Sequence, residues 1–139
     1  MPFSVSHMER IEVDQEEVLA HKDWIKLLEI QSQAGPCVTG FKLLKPVIAF
    51  GFVPIWHGVA EAWMVGSAEA RKYPITMTKT GRAVMDIAKI SMGLHRLQIT
   101  VRNTDKRAES WAYAIGFGQE SIMRHYGPDG EDYLMMTRF

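Results

Sequence analysis

The side chains able to do covalent or ligand chemistry are few in this chain and widely scattered. Its one cysteine, Cys37, has no second thiol with which to close an internal disulfide or build a thiolate metal cluster. Five histidines, His7, His21, His57, His95 and His125, show no H-x-x-x-H or similar ligand spacing. A metal-free protein is expected. The stretch His95–Arg102 sets Arg96, Gln98, Thr100 and Arg102 at alternate positions, a polar row that either lines a ligand cleft or faces solvent. Arg71 and Lys72 make a short basic pair, to be read as a solvated loop or as a phosphate contact. The nine methionines and four tryptophans read as packing groups, since thioethers fill irregular cores and indoles anchor them.

These residues need elements to hold them. Phe3–Val13 reads as a strand, after which Asp14 caps a helix with Glu17 in the capping-box position. Trp24, Leu27 and Leu28 give that helix an apolar stripe, and Gly35-Pro36 ends it by about Ala34. Cys37–Leu43, Pro46–Val53 and Val59–Val65 are rich in β-branched and aromatic residues between turn residues, which predicts three strands. Gly66–Lys79 carries no clear pattern. Val84, Ile87, Ala88 and Ser91 then share one face of a second helix, which Gly93 ends. In His95–Arg102, Leu97, Ile99 and Val101 alternate with the polar row, the period of a strand with one buried face. Asn103-Thr104-Asp105 is a capping turn before a short helix with Ala108, Trp111, Ala112 and Ile115 on one side and Gly116 at its end. Gly118–Tyr126 and Asp132–Phe139 flank Gly127-Pro128-Asp129-Gly130, where proline presets a turn and the second glycine can take positive φ. The order is β α β β β α β α β β, a mixed α/β (α+β) chain.

A chain of 139 residues that is 47% hydrophobic suits one domain, 1–139. Sixteen Lys plus Arg balance sixteen Asp plus Glu, so no basic excess draws the chain to nucleic acid or to an anionic membrane. Nucleic-acid partners are disfavoured. The longest apolar run, Pro46–Trp56, falls short of the roughly 20 residues a membrane helix needs. Met1-Pro2-Phe3 opens no charged-then-apolar leader, so a cytoplasmic, membrane-independent protein is expected.

The last third of the chain carries the most specific pattern. Leu97-Gln98-Ile99-Thr100-Val101-Arg102-Asn103 leads to Ala108-Glu109-Ser110-Trp111-Ala112-Tyr113-Ala114-Ile115-Gly116-Phe117 and then to Ile122-Met123-Arg124-His125-Tyr126. This strand, short helix ending in Gly-Phe, and hairpin resemble the GCN5-related N-acetyltransferase (GNAT) superfamily. The element order resembles that family over nearly the whole chain, and the residues do so from about Gly81 onward. The resemblance implies a mainly antiparallel sheet flanked by helices, with acetyl-CoA as donor and an amine as acceptor. The donor is expected between the strand ending near Val65 and the strand beginning near His95. The family's Gln/Arg-x-x-Gly-x-Gly/Ala motif, whose bare N–H groups meet a diphosphate at a helix start, is matched nearest by Thr78-Lys79-Thr80-Gly81-Arg82-Ala83. Gly81 and Ala83 fit, Thr78 departs from it, and Gly66–Met77 is longer than the usual connection. The contacts so implied are Val65, Thr80, Gly81, Arg82, Ala83 and Asn103, with the helix beginning near Thr80. The alternative for Gly81 is an ordinary position within an amphipathic helix.

Catalysis in such a family needs a base for the acceptor amine and often a tyrosine for the leaving thiolate. The resemblance implies Glu61 as that base, with His57 as second choice, and a solvated strand-edge carboxylate is the other reading of Glu61. At the tyrosine position this chain has Ala112, with Tyr113 one residue on and so turned by about 100° around the helix. Asp105 stands where an asparagine is common, and can still cap. The run from Pro36 to Val65 with the long connection also resembles small GNAT-like proteins of short-tailed bacteriophages, including internal virion proteins. Two functions are thus implied. One is an acetyl-CoA-dependent N-acetyltransferase acting on a small-molecule or protein amine. The other is a catalytically silent scaffold that contacts phage or host proteins in the host cytoplasm or the virion.

Overall fold

The computed structural model describes residues 33–42 and 45–139. The expected strand Phe3–Val13 and nearly all of the helix from Asp14 lie outside the described residues. Gln33 and Ala34 are helical and the backbone bends at Gly35, where the stop was expected. The elements are β1 (Cys37–Lys42), β2 (Lys45–Trp56), β3 (Val59–Gly66), α1 (Ala68–Arg71), α2 (Pro74–Met92), β4 (Arg96–Arg102), α3 (Lys106–Ala114), β5 (Gly118–Met123) and β6 (Tyr133–Arg138). Six strands form one mostly antiparallel sheet in the order β1-β2-β3-β4-β6-β5, with helices flanking it, as expected of the mixed α/β pattern. The described residues fall into two compact units, 33–55 with Ala62–Met77, and Trp56–Glu61 with Thr78–Phe139.

In the first unit β1 pairs antiparallel with β2 from Cys37↔Gly51 to Lys42↔Lys45, with a register shift between Gly40 and Phe41. Val47, Ile48, Ala49 and Phe50 are buried in succession, the mark of a strand covered on both faces. Gly51 is glycine for a steric reason: a Cβ there would run into the Trp63 indole. After β3, Ser67 ties the chain to β2. Its N–H and its Oγ both donate to the Val47 carbonyl, at 3.1 and 3.0 Å. Its Oγ also accepts the Ala70 N–H at 3.4 Å, capping α1. α1 has no counterpart in the sequence pattern, because four residues are too few for a periodicity and the anchor is a distant strand. α2 starts at Pro74, six positions before the expected start near Thr80. Proline at a first helical position loses nothing, since that N–H has no helical partner and φ is already set.

In the second unit β3 and β4 run parallel, paired as Val59↔Arg96, Ala60↔Leu97 and Glu61↔Gln98. On its other edge β4 pairs antiparallel with β6 from Leu97↔Arg138 to Arg102↔Tyr133, and β6 pairs antiparallel with β5. Leu97, Ile99 and Val101 are buried, as their alternation predicts. The buried face of α2 is Gly81, Met85 and Ala88 rather than Val84, Ile87, Ala88 and Ser91. Ile87 is 65% exposed. The helix is turned this way because the bare Cα of Gly81 lets Trp111 and Ile115 of α3 approach where a Cβ would meet them at 3.0 and 2.8 Å. Asp105 caps α3 by accepting the Ala108 N–H at 3.1 Å, and Gly93 and Gly116 take the positive φ expected at helix ends. β5 stops at Met123, short of the expected Tyr126. His125 leaves the strand with φ 57°, its N–H donating to Asp132 Oδ1 at 3.1 Å. The turn closes through the Gly130 N–H to the Gly127 carbonyl at 2.9 Å, with Gly130 at φ 79°.

Candidate functional site

Glu61 is the last residue of β3 in the parallel ladder, opposite Gln98. The ladder register brings the two side chains together, and Gln98 Nε2 donates to Glu61 Oε1 at 3.1 Å. Gln98 Oε1 in turn accepts from Arg96 Nε at 3.0 Å, since residues two apart on a strand share a face. The Arg96 guanidinium then forks onto Glu120, Nη1 to Oε1 at 2.8 Å and Nη2 to Oε2 at 2.6 Å. Glu120 is the residue skipped by the register shift between Gln119 and Ser121, and such a bulge re-aims a side chain out of its ladder. Four half-buried or exposed side chains from three strands thus form one continuous polar row.

The chemistry of its ends fixes the direction of this row. Arg96 can only donate and a carboxylate can only accept, so the Gln98 amide has one satisfactory orientation. Among the described residues Glu61 Oε2 has no hydrogen-bond partner. The hydrogen bond from Arg96 holds the Glu120 carboxyl below the usual carboxylate range, and the same bond pushes the Arg96 guanidinium further up. A two-pronged Arg–carboxylate contact is the surface geometry most able to hold a neighbour in place.

The remaining expected residues lie apart from this row. His57 is in the exposed turn that precedes β3. Tyr113 is 45% exposed, whereas its neighbour Ala112 is 1% exposed, so the tyrosine is on the outer side of α3. Val65 is fully buried in β3, and the Asn103 N–H donates to the Asp132 carbonyl at 3.0 Å. Gly81 is the eighth residue of α2, with Thr80, Arg82 and Ala83 beside it. Only the first four N–H groups of an α-helix lack a carbonyl four residues back, so the amides of Thr80–Ala83 are not open to a diphosphate. The bare-amide cradle does not fit here. Arg82 instead sends its Nε to the Ala114 carbonyl at 2.8 Å, closing the end of α3. A cavity of about 210 Å³ in the first unit, between Phe41, Val47, Tyr73, Thr76 and Met77, contains none of the expected site residues. Among the described residues no group of three His, Cys, Asp or Glu side chains could hold a metal.

Sequence reasoning named Glu61 but missed its partners. The alternation of β4 put Arg96 and Gln98 on one face, which was a usable signal. Glu120 gave none, because a bulge 24 residues from Arg96 leaves no trace in spacing.

No family model matches this chain, and no curated protein does. Solved structures do. A chimera of the spermidine N-acetyltransferase SpeG from Vibrio cholerae with hSSAT aligns with TM-score 0.77 at 14% identity, over 100% of this chain and 93% of that one. The IAA acetyltransferase from Bacillus cereus gives 0.75 at 12% identity, over 99% and 96%. A GNAT family acetyltransferase from Elizabethkingia anophelis with acetyl-CoA bound gives 0.74 at 13% identity, over 99% and 95%. The chain therefore has the fold of the GNAT acetyltransferases.

Proposed function

We propose that this protein transfers an acetyl group to an amine, with Glu61 as the base that takes the amine's proton. The observation that carries this reading is a carboxylate tethered through one oxygen, with its other oxygen unengaged, at the last pair of a parallel ladder of three. The shared fold with acetyltransferases, one of them holding acetyl-CoA, supports it. An alkylammonium has no lone pair for attack, so the proton must leave before a C–N bond can form. Glu61 Oε2 accepts that proton directly or through one water. A bound acetyl thioester supplies the acyl carbon and a thiolate leaving group. His57 is the second candidate base, and Tyr113 the candidate proton source for the thiolate.

Arg82 is the cationic group proposed for the donor's phosphates, because its Nη1 and Nη2 have no hydrogen-bond partner among the described residues. The acceptor is a small-molecule or protein amine.

The test is product formation. Acetyl-CoA is incubated with a panel of polyamines, amino acids and peptide N-termini, and acetylated amines are read by mass spectrometry. Turnover is expected with at least one class, falling about 10²–10³-fold in kcat/KM for Glu61→Gln at unchanged melting temperature. Absence of product with every amine, together with no thermal shift at millimolar acetyl-CoA, overturns the reading.

A further inference from the structure

We propose that Gln98 and Arg96, locked by Glu120, are positioning residues that hold the Glu61 carboxylate by Oε1 and turn Oε2 toward the acceptor amine. This inference rests on Glu61 being the base.

Three features of the row carry it. Every guanidinium nitrogen of Arg96 is used: two on Glu120 at 2.8 and 2.6 Å, the third on Gln98 at 3.0 Å. A guanidinium held at three points cannot rotate to serve another acceptor, so Gln98 Oε1 is pinned. Pinning the oxygen commits Nε2 to the opposite side, where Glu61 Oε1 lies at 3.1 Å. The row therefore has a direction, from anion through cation and amide dipole to the second anion. Reversing the amide would set its NH2 against the guanidinium and its carbonyl against a carboxylate. Hydrogen bonds in series also polarise one another, which strengthens the terminal bond onto Glu61. The row is partly sheltered, with the Arg96 side chain 25% exposed, so solvent competes only in part.

A merely structural role and a positioning role give different results in one pair of variants. Arg96→Glu combined with Glu120→Arg restores an ion pair between β4 and β5 but sets an acceptor beside Gln98, reversing its amide. Melting temperature is expected to stay near that of the parent. The kcat/KM value is expected to fall about tenfold, with the loss in kcat rather than KM. Gln98→Leu is expected to give the same kinetic signature. In the Glu61→Gln background neither change should lower the residual rate further, because non-additivity marks residues acting through one another. A swapped pair with parental kcat overturns the positioning role while leaving Glu61 as base. Parental turnover in Glu61→Gln itself overturns the base reading instead. A readout without turnover is the Gln98 side-chain NH2 resonance in 15N–1H spectra, which Arg96→Lys should displace if the row persists in solution. No displacement overturns the proposal.

Discussion

Gly81 shows how a single missing side chain fixes where two helices meet. Alanine there would gain about 1 kcal/mol of helix propensity. Its Cβ would also press on the Ile115 methyl at 2.8 Å and the Trp111 ring at 3.0 Å, and overpacking a buried contact costs about 1–3 kcal/mol. Gly81→Ala is expected to lower stability by about 1 kcal/mol net in urea titrations, and to cost less in an Ile115→Ala background, where only the Trp111 contact remains. Glu120 gives a second prediction at this scale, with its sign set by Arg96. A carboxyl held below its unfolded range adds stability that is fully present above that range and is lost as pH falls through the folded value. The melting-temperature gap between the parent and Glu120→Gln should therefore be widest near neutrality and close in acid. Burial raises the Cys37 thiol, so its alkylation by iodoacetamide should reach half-maximal rate at higher pH than a small model thiol. Legibility at this scale followed local chemistry: Asp105, Gly93 and Gly130 act through neighbours one to four residues away and were readable. The Arg96–Glu120 fork depends on a bulge and was not.

At the scale of elements, the connection after β3 departs furthest from expectation. Gly66–Lys79 looked patternless because its order comes from Ser67 bound to Val47, 20 residues distant, and from a proline that opens a helix rather than breaking one. Ser67→Ala removes a buried hydroxyl that serves both as an anchor to β2 and as a cap. A loss of about 1–2 kcal/mol is expected by calorimetry, since the Ser67 N–H keeps its own bond to the same carbonyl. The early start of α2 also has a kinetic consequence for the proposed donor. With the amides of Thr80–Ala83 inside the helix, a diphosphate gains little main-chain recognition. Acetyl-pantetheine is expected to support turnover within about tenfold of acetyl-CoA in kcat/KM, and a preference far above that would show a phosphate grip elsewhere. Arg82→Ala should narrow the gap further.

For the molecule as a whole, the order of elements was the readable part and the pairing of strands was not. Alternation in β4, the Gly127-Pro128-Asp129-Gly130 turn and the Asp105 cap each report a period or a dihedral, which sequence encodes directly. That β4 lies beside β3 in parallel and beside β6 in antiparallel is a matter of which faces find each other, and no window of residues contains it. The zero net charge expected from sixteen residues of each sign gives a further check: binding to duplex DNA should be undetectable at physiological salt. Among the described residues no helix is long and apolar enough to cross a membrane.

β6 lies between β4 and β5, although both are synthesised before it. β5 therefore has no ladder partner until Tyr133–Arg138 is present beside it. A chain truncated before Tyr133 should be cut readily by added protease in its last third. Restoring residues 133–139 should abolish that sensitivity, making completion of this half of the sheet a late, all-at-once event.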